Sequence, residues 1–179
     1  MKQLATPGDR FTLLDIGAAS GDTARFLQAS YSLASITNLD RNAIHLEQAP
    51  SPRVVADAFQ LPFESKSFDF VLCSLLLHHF SNDQVISLLR AFYNIARRAL
   101  LVCDLERHFL SYCFLPLTKP LFGWQRMTVH DGQISVRAGF KKDELLRLVE
   151  LAGIHNARVF VHRPAFRLSL VAAKVPIIG

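Results

Sequence analysis

No apolar run in this chain approaches the roughly 18 residues that a membrane-spanning helix needs, so none of it reads as a membrane span. Charge is in short supply too: 20% of residues are charged against 50% hydrophobic, which excludes a disordered polyelectrolyte and fits a slightly greasy globular chain. The 20 Lys and Arg exceed the 15 Asp and Glu by only 5 and form no dense stripe, so no nucleic-acid partner is expected. Cysteine is scarce. Cys73, Cys103 and Cys113 are odd in number and lack metal-ligand spacing, which argues against a disulfide framework and leaves no metal site to expect. Cys73 and Cys103 lie in apolar, strand-like runs, as buried free thiols in a reducing cytosol do. Met1 to Arg10 is polar and lacks a signal-peptide core, so a cytoplasmic location is expected. Repeats and low-complexity tracts are absent, and 179 residues suit a single domain that buries roughly 70% of its unfolded surface.

What is present is organised around Thr12 to Thr23. Leu13 to Ile16 reads as a buried strand, Gly17 and Gly21 make a turn, and Ala24, Phe26 and Leu27 begin a helical pattern capped by Asp22 or Thr23. Such a unit lets a ligand approach the backbone at the carboxyl edge of a parallel sheet. A dinucleotide fingerprint would need glycines at 17, 19 and 22, and this chain has Ala19 and Asp22.

Ser35 to Asp40 reads as a second strand, ending in an acid nineteen residues after Gly21 (40 − 21). An acid there either accepts hydrogen bonds from ribose hydroxyls or caps the next helix, Arg41 to Gln48. Arg53 to Asp57 is a third strand, after which Asp57-Ala58 opens a Pro-containing turn. Ser67 to Ser74 is the fourth. Ser81 to Gln84 is a capping box that starts a helix with Val85, Leu88, Leu89 and Phe92 on one face. His78 and His79 therefore lie between a strand edge and a helix start; His78 is expected to be packed, and His79 is either packed or catalytic.

Arg97 and Arg98 end that helix, and Ala99 to Asp104 is the fifth strand. From Arg107 to Arg137 the chain mixes Phe109, Leu110, Phe114, Leu117, Leu121 and Trp124 with Pro116, Pro120 and Gly123. The prolines exclude one long helix, so two short helices and a loop are expected. His130-Asp131 is a potential acid–base pair inside Thr128 to Val136, although Asp131-Gly132 is also a turn signal. Lys142 to Leu151 is a helix stopped by Gly153, and Asn156 to Val161 with Phe166 to Ala173 alternates at period two as a closing hairpin.

Asp15-x-Gly17-x-Ala19-x-Gly21 resembles motif I of the class I S-adenosylmethionine-dependent methyltransferases, roughly [D/E]-x-G-x-G-x-G, with Ala19 in place of the middle glycine. Asp57 to Phe63 resembles their D-A-x-x-L-P-F turn. Phe68 to Phe80, with Ser74, His78 and His79, resembles motif IV of small-molecule members such as the quinone-ring enzymes. The resemblance runs from Leu13 to Ala173. It implies an α/β, Rossmann-like, seven-stranded sheet, mostly parallel with a reversed last strand and helices on both faces. It implies S-adenosylmethionine as cofactor, with Asp15, Gly17, Ala18 and Gly21 at the first turn, Asp40 at the ribose with Arg41 beside it, Asp57 and Ala58 at the adenine, and Ser74 ending the fourth strand. The chemistry implied is methyl transfer to a substrate oxygen, carbon or nitrogen, with His79, His130 and Asp104 as candidate bases.

The N/D-P-P-[Y/F] signature of enzymes that methylate base amino groups is missing, and Ser74 to Leu77 stands in its place. With the apolar insertion, that points to a hydrophobic small-molecule acceptor of phenolic, polyketide or quinone-like type, methylated on oxygen or carbon. Arg126 and Arg137 either meet a carboxylate on it or are solvated. Family members usually carry a helical cover of some tens of residues before the first strand. About ten residues precede it here, so the cover is expected from the insertion at about 105–137, from a homodimer or from a partner chain. Two alternatives stand beside this reading: a non-catalytic methyltransferase-like binding module, and an NAD-dependent oxidoreductase.

Overall fold

A strand with apolar residues on both faces must be covered twice, and Thr12–Ile16 (β1) is such a strand, with Leu13, Leu14, Asp15 and Ile16 all buried. The computed structural model describes residues 4–123 and 125–174; Met1–Gln3 of the lead-in and Trp124 of the insertion lie outside them. Among the described residues β1 is joined in one sheet by Ser35–Asp40 (β2), Arg53–Val55 (β3), Phe68–Ser74 (β4), Ala96–Leu105 (β5), Ala157–His162 (β6) and Arg167–Ala173 (β7). The spatial order is β3-β2-β1-β4-β5-β7-β6. Strands β1 to β5 pair in parallel, while β7 runs antiparallel to both β5 and β6, so the last strand alone is reversed. This is the sheet that the sequence resemblance implies.

The helices are Asp22–Ser30 (α1), Ala43–Leu46 (α2), Asn82–Ile95 (α3), Phe109–Phe122 (α4), Arg126–Ala138 (α5) and Lys142–Leu151 (α6). Period-two alternation sorts the strand side chains between two layers. Leu14, Ile16, Val71, Cys73, Leu100 and Val102 pack under α3 and α6, against Leu88, Leu89, Phe92 and Leu148. Leu13, Ile36, Phe70, Leu72 and Leu101 pack on the other face with Ala24 and Leu27 of α1 and with Phe11. The Ser81–Gln84 capping box starts α3 as the sequence indicates, with both reciprocal bonds made.

Several local expectations give way. The N-cap of α1 is Gly21, with no side-chain cap; Asp22 instead sits in the first turn, held by Ser20 and Arg25. Helix α2 is one turn long, and Asn42 caps it through bonds to the amides of Ile44 and His45, which leaves Asp40 without that task. Arg97 and Arg98 lie within β5, because α3 passes straight into the strand at Ala96. Arg97 pairs with Asp69 at 3.0 Å, and Arg98 lies over the Phe70 ring.

The insertion is two helices, but both are longer than the prolines and the Asp-Gly pair suggest. Pro116 and Pro120 sit inside α4, four residues apart on one face, so their missing donors fall on one side. The Thr118 hydroxyl donates to the carbonyl of Phe114 at 2.6 Å. Helix α5 runs unbroken through Asp131-Gly132, so packing against α4 overrides that turn signal.

Candidate active site

Beyond Ile16 the backbone takes left-handed conformations at Gly17 (φ +78°), Ala19 (φ +45°) and Gly21 (φ +77°). At both glycines a side chain would be strained by the positive φ. A Cβ at Gly17 would lie 3.2 Å from the Leu76 methyls, and one at Gly21 only 2.7 Å from Ala49 and Pro50. The amides of Gly17 and Ala18 donate to the Leu39 carbonyl at 2.8 and 3.0 Å, tying the turn to β2. Ala19 carries its methyl into solvent, and its amide donates to Asp40 Oδ2 at 2.9 Å; Asp40 Oδ1 accepts from the Asn42 amide at 2.8 Å.

Asp15 is 1% exposed, and its Oδ2 has no hydrogen-bond partner. Burial, and secondarily the charge of Asp40, push its pKa up to about 7. A buried carboxylate oxygen left unpaired in this way marks a place prepared for a cation or a donor.

Above the turn opens a cleft of about 470 Å³ between the ends of β1, β2 and β3. Of the sequence-predicted cofactor residues, Gly17, Asp40, Arg41, Asp57 and Ala58 form its wall, and His79 closes one end. Asp15, Ala18, Gly21 and Ser74 are not on that wall. Asp57 accepts the Phe59 amide at 2.9 Å, so the acid that shapes the turn is the same one that faces the cleft. Phe59 and Phe80 meet edge to face at 5.3 Å and give the cleft an aromatic side.

At the end of β4 the chain turns outward at Leu75 (φ +52°), whose amide donates to the Cys103 carbonyl, and enters the 3-10 turn Leu77–His79. Asp104, wholly buried at the end of β5, anchors this turn. Its Oδ2 accepts the Leu77 and His78 amides at 2.9 and 3.3 Å, and its Oδ1 lies 2.7 Å from His78 Nδ1. With Nδ1–H donated to that carboxylate, the His78 ring is held with Nε2 on its far side. His79 follows, its ring centroid 4.1 Å from that of His78. Burial first and the neighbouring His78 second hold its pKa below the ordinary histidine value, with Asp104 opposing.

His78 and His79 also line a second cavity of about 620 Å³. Its walls are apolar at Leu75, Leu105, Phe114, Val136 and Phe166, and polar at Ser111, Ser135 and Arg167. His79 is the residue common to both cavities. His130 lies elsewhere: on α5, its side chain 74% exposed and 3.5 Å from Asp131, it borders neither cavity. Arg126 is exposed at the start of α5, Arg137 lies over the Tyr112 ring, and the arginine beside the second cavity is Arg167. Among the described residues no cluster of three or more His, Cys, Asp or Glu could hold a metal ion.

A family model described as a methyltransferase domain matches residues 14–100, from β1 into β5, the strands and turns that build the cleft. Over that span the chain carries a methyltransferase domain of the class I S-adenosylmethionine-dependent type. No curated protein matches it. Among solved structures, it resembles a SAM-dependent methyltransferase from Aquifex aeolicus with TM-score 0.68 and 15% identity over 96% of this chain and 85% of that one. It resembles the magnesium protoporphyrin IX methyltransferase of Synechocystis with TM-score 0.64 and 15% identity, covering 93% and 75% of the two chains. A third likeness is to the plantazolicin methyltransferase BpumL, with TM-score 0.74 and 13% identity over 97% and 79%. At such identities these likenesses show the fold.

The residues of this methyltransferase suit its cofactor, a cation bearing a ribose and an adenine. The Asp15 oxygen without a partner is buried at the turn, and Gly17, which has no side chain, lines the cleft. Each oxygen of Asp40 accepts one amide and retains a free lone pair. Sequence reasoning missed Phe59, Leu76 and Phe80, whose apolar identity in loops carries no chemical signal. It missed Arg167 because nothing in a strand-forming run marks one arginine as facing a cavity.

Proposed function

We propose that this methyltransferase transfers a methyl group to a hydrophobic small molecule held beneath α4 and α5, an O- or C-methylation of a phenolic or quinone-like acceptor. The observation that carries this reading is the junction of two cavities at His79: one is lined by carboxylates at strand ends, the other is apolar with a few polar groups. The insertion serves as the cover of the second cavity, to which it gives Ser111, Phe114, Gly132, Ser135 and Val136.

When bound, S-adenosylmethionine supplies a methyl group already activated by a sulfonium. The chain's own contribution is then alignment, which lowers such barriers by roughly 7–11 kcal/mol in good cases. Asp15 meets the positive charge of the methionine end, Asp40 accepts from the ribose hydroxyls through its free lone pairs, and Asp57 with the Ala58 amide faces the adenine. Gly17 keeps the floor clear of side-chain atoms. His79, neutral at pH 7 because of its lowered pKa, accepts the proton of a phenolic acceptor at the junction, a contribution of about 10²–10⁴-fold. Asp104 holds His78 and the 3-10 turn so that His79 keeps its place. His130 has no part in this reading.

The test is transfer of a labelled methyl group from S-adenosylmethionine to a panel of phenols, quinols and polyketide aromatics, with calorimetry of the cofactor alone. Transfer to at least one apolar acceptor supports the reading. Tight cofactor binding with no transfer to any member of the panel would favour the binding module instead.

A further inference from the structure

Arg167 places a permanent cation in the largely apolar wall of the second cavity. It opens β7, half-buried, opposite Leu105 of β5. Its Nη1 donates to the carbonyls of Ala165 and Phe166 at 3.5 Å each, the long limit of a hydrogen bond. Among the described residues it pairs with no carboxylate, whereas Arg25, Arg97, Arg107 and Arg163 each do. The two acids where β5 ends are already engaged. Asp104 accepts the amides of Leu77, His78 and Leu105 together with His78 Nδ1, and Glu106 is held by Arg163 at 2.8 Å.

No acid lines the cavity among the described residues; Ser111 of α4 and Ser135 of α5 add hydroxyls to Arg167, His78 and His79, and the rest of the wall is apolar or glycine. A ligand that fills this space strips water from the guanidinium. A neutral ligand leaves that loss uncompensated, while an anionic group meets it through charge-assisted bonds. The size of the charge selects the group. Arg167 is the one permanent cation among the described lining residues, which suits a single negative charge, and its planar fork fits the two oxygens of a carboxylate. A phosphate dianion would keep one charge unmet among apolar side chains. Topology sets the other end of the ligand. Because β7 is reversed, its first residue lies at the carboxyl edge of β4 and β5, where the Leu77–His79 turn also stands. With β5 between them, β4 and β7 are about 10 Å apart, a gap that a two-ring aromatic with a substituent at each end can span.

We infer that the acceptor is an aromatic carboxylate, held with its carboxylate on Arg167 and its reacting group at the His79 end of the cavity. Arg167 is then the residue that sets specificity for charge. This inference rests on the acceptor reading above and narrows it to one charge class.

Calorimetry of the full chain with S-adenosylhomocysteine present tests it. The ligands are 2-naphthol and two hydroxynaphthoates, one with the carboxylate beside the hydroxyl and one with it on the far ring. The unaltered chain is expected to bind at least one hydroxynaphthoate roughly tenfold or more tighter than the naphthol. Arg167→Met keeps the aliphatic stem and is expected to abolish that preference while leaving naphthol binding unchanged. Arg167→Lys keeps the charge without the fork and is expected to retain part of it. Arg167 belongs to none of the hydrophobic core clusters, so both variants should melt as the unaltered chain does. Equal affinity for the three ligands, binding of none, or a preference that survives Arg167→Met would overturn the inference. So would an equal loss of all three ligands in the Met variant, which gives Arg167 a structural role only. The preference of the unaltered chain is read without any variant, so a misfolded variant leaves the test in force. Calorimetry reads no turnover: a carboxylate preference without methyl transfer counts against the transfer reading alone, and transfer to 2-naphthol without that preference counts against this inference alone.

Discussion

Replacing Asp15 with Asn keeps the outline of the side chain and removes its charge, which lets stability and cofactor binding be set against each other. In the folded protein burial and Asp40 raise the Asp15 pKa from 3.8 to about 7. A difference of about 3 units at 1.36 kcal/mol each makes the ionised form cost roughly 4 kcal/mol of folding free energy above pH 7, an upper value because relaxation reduces it. The sign follows from the raised pKa: stability from this group is full below about pH 3.8 and is lost as pH rises through about 7. Asp15→Asn is therefore expected to melt higher than the unaltered protein at pH 8, by roughly 5–15 °C for a chain of this size, with the gap closing toward pH 4. Cofactor affinity should move the other way, falling by roughly 1.5–3 kcal/mol as a charge-assisted contact is lost. Thermal melts across pH 4 to 8.5, with calorimetry of S-adenosylmethionine at pH 8, read both quantities. A melting difference independent of pH would refute the ionisation argument, and unchanged affinity would remove Asp15 from the site.

Asp40→Ala should weaken cofactor binding by roughly 1.5–3 kcal/mol, and calorimetry showing no change would take Asp40 away from the ribose. Ala19→Gly relieves a left-handed alanine whose backbone cost is roughly 1–2 kcal/mol, less the entropy that glycine adds to the unfolded chain, so a net gain of about 0.5–1 kcal/mol is expected in denaturant melts. His79→Gln should lower kcat on phenolic acceptors by about 10²–10⁴-fold with cofactor affinity kept. In the unaltered enzyme the acid limb of the rate profile should lie below the ordinary histidine value of 6.5, because the pKa is lowered. Gly132→Ala should stabilise α5 by up to about 1 kcal/mol while adding a methyl group beside the second cavity, so acceptor KM should rise with cofactor Kd unchanged.

The central strands were legible because parallel strands buried on both faces must be nearly continuous apolar runs, and β1, β4 and the second half of β5 are. The carboxyl-edge acids were legible for a related reason: Asp15 and Asp40 interrupt or end such runs, where a charge has no packing role. The capping box was legible because its two bonds are local. What stayed hidden is tertiary. The length of α5 depends on α4, and the direct passage from α3 into β5 depends on Arg97 finding Asp69, 28 residues away in sequence. His78 was expected to be a packed residue, and it is buried and hydrogen-bonded as such; that it also reaches a cavity depends on Asp104 of another strand.

The positions that break local rules are gathered at the two cavities. Among the described residues four other than glycine have positive φ: Ala19, Lys66, Leu75 and Phe166. Only Lys66, in the turn before β4, is remote from them; Ala19 lies on the turn beneath the cleft, and Leu75 and Phe166 line the second cavity. At roughly 1–2 kcal/mol each, these conformations persist because neighbours hold them: Asp40 bonds the Ala19 amide, the Cys103 carbonyl accepts from Leu75, and His108 stacks on Phe166 at 4.9 Å. The uncompensated Asp15 carboxylate belongs with them. Packing alone would select glycine at 19 and an apolar residue at 15. Departures of this kind, concentrated where β1, β4 and β7 meet the cavities, are what a fold retains when the strand ends must present backbone and charge to a ligand rather than to one another.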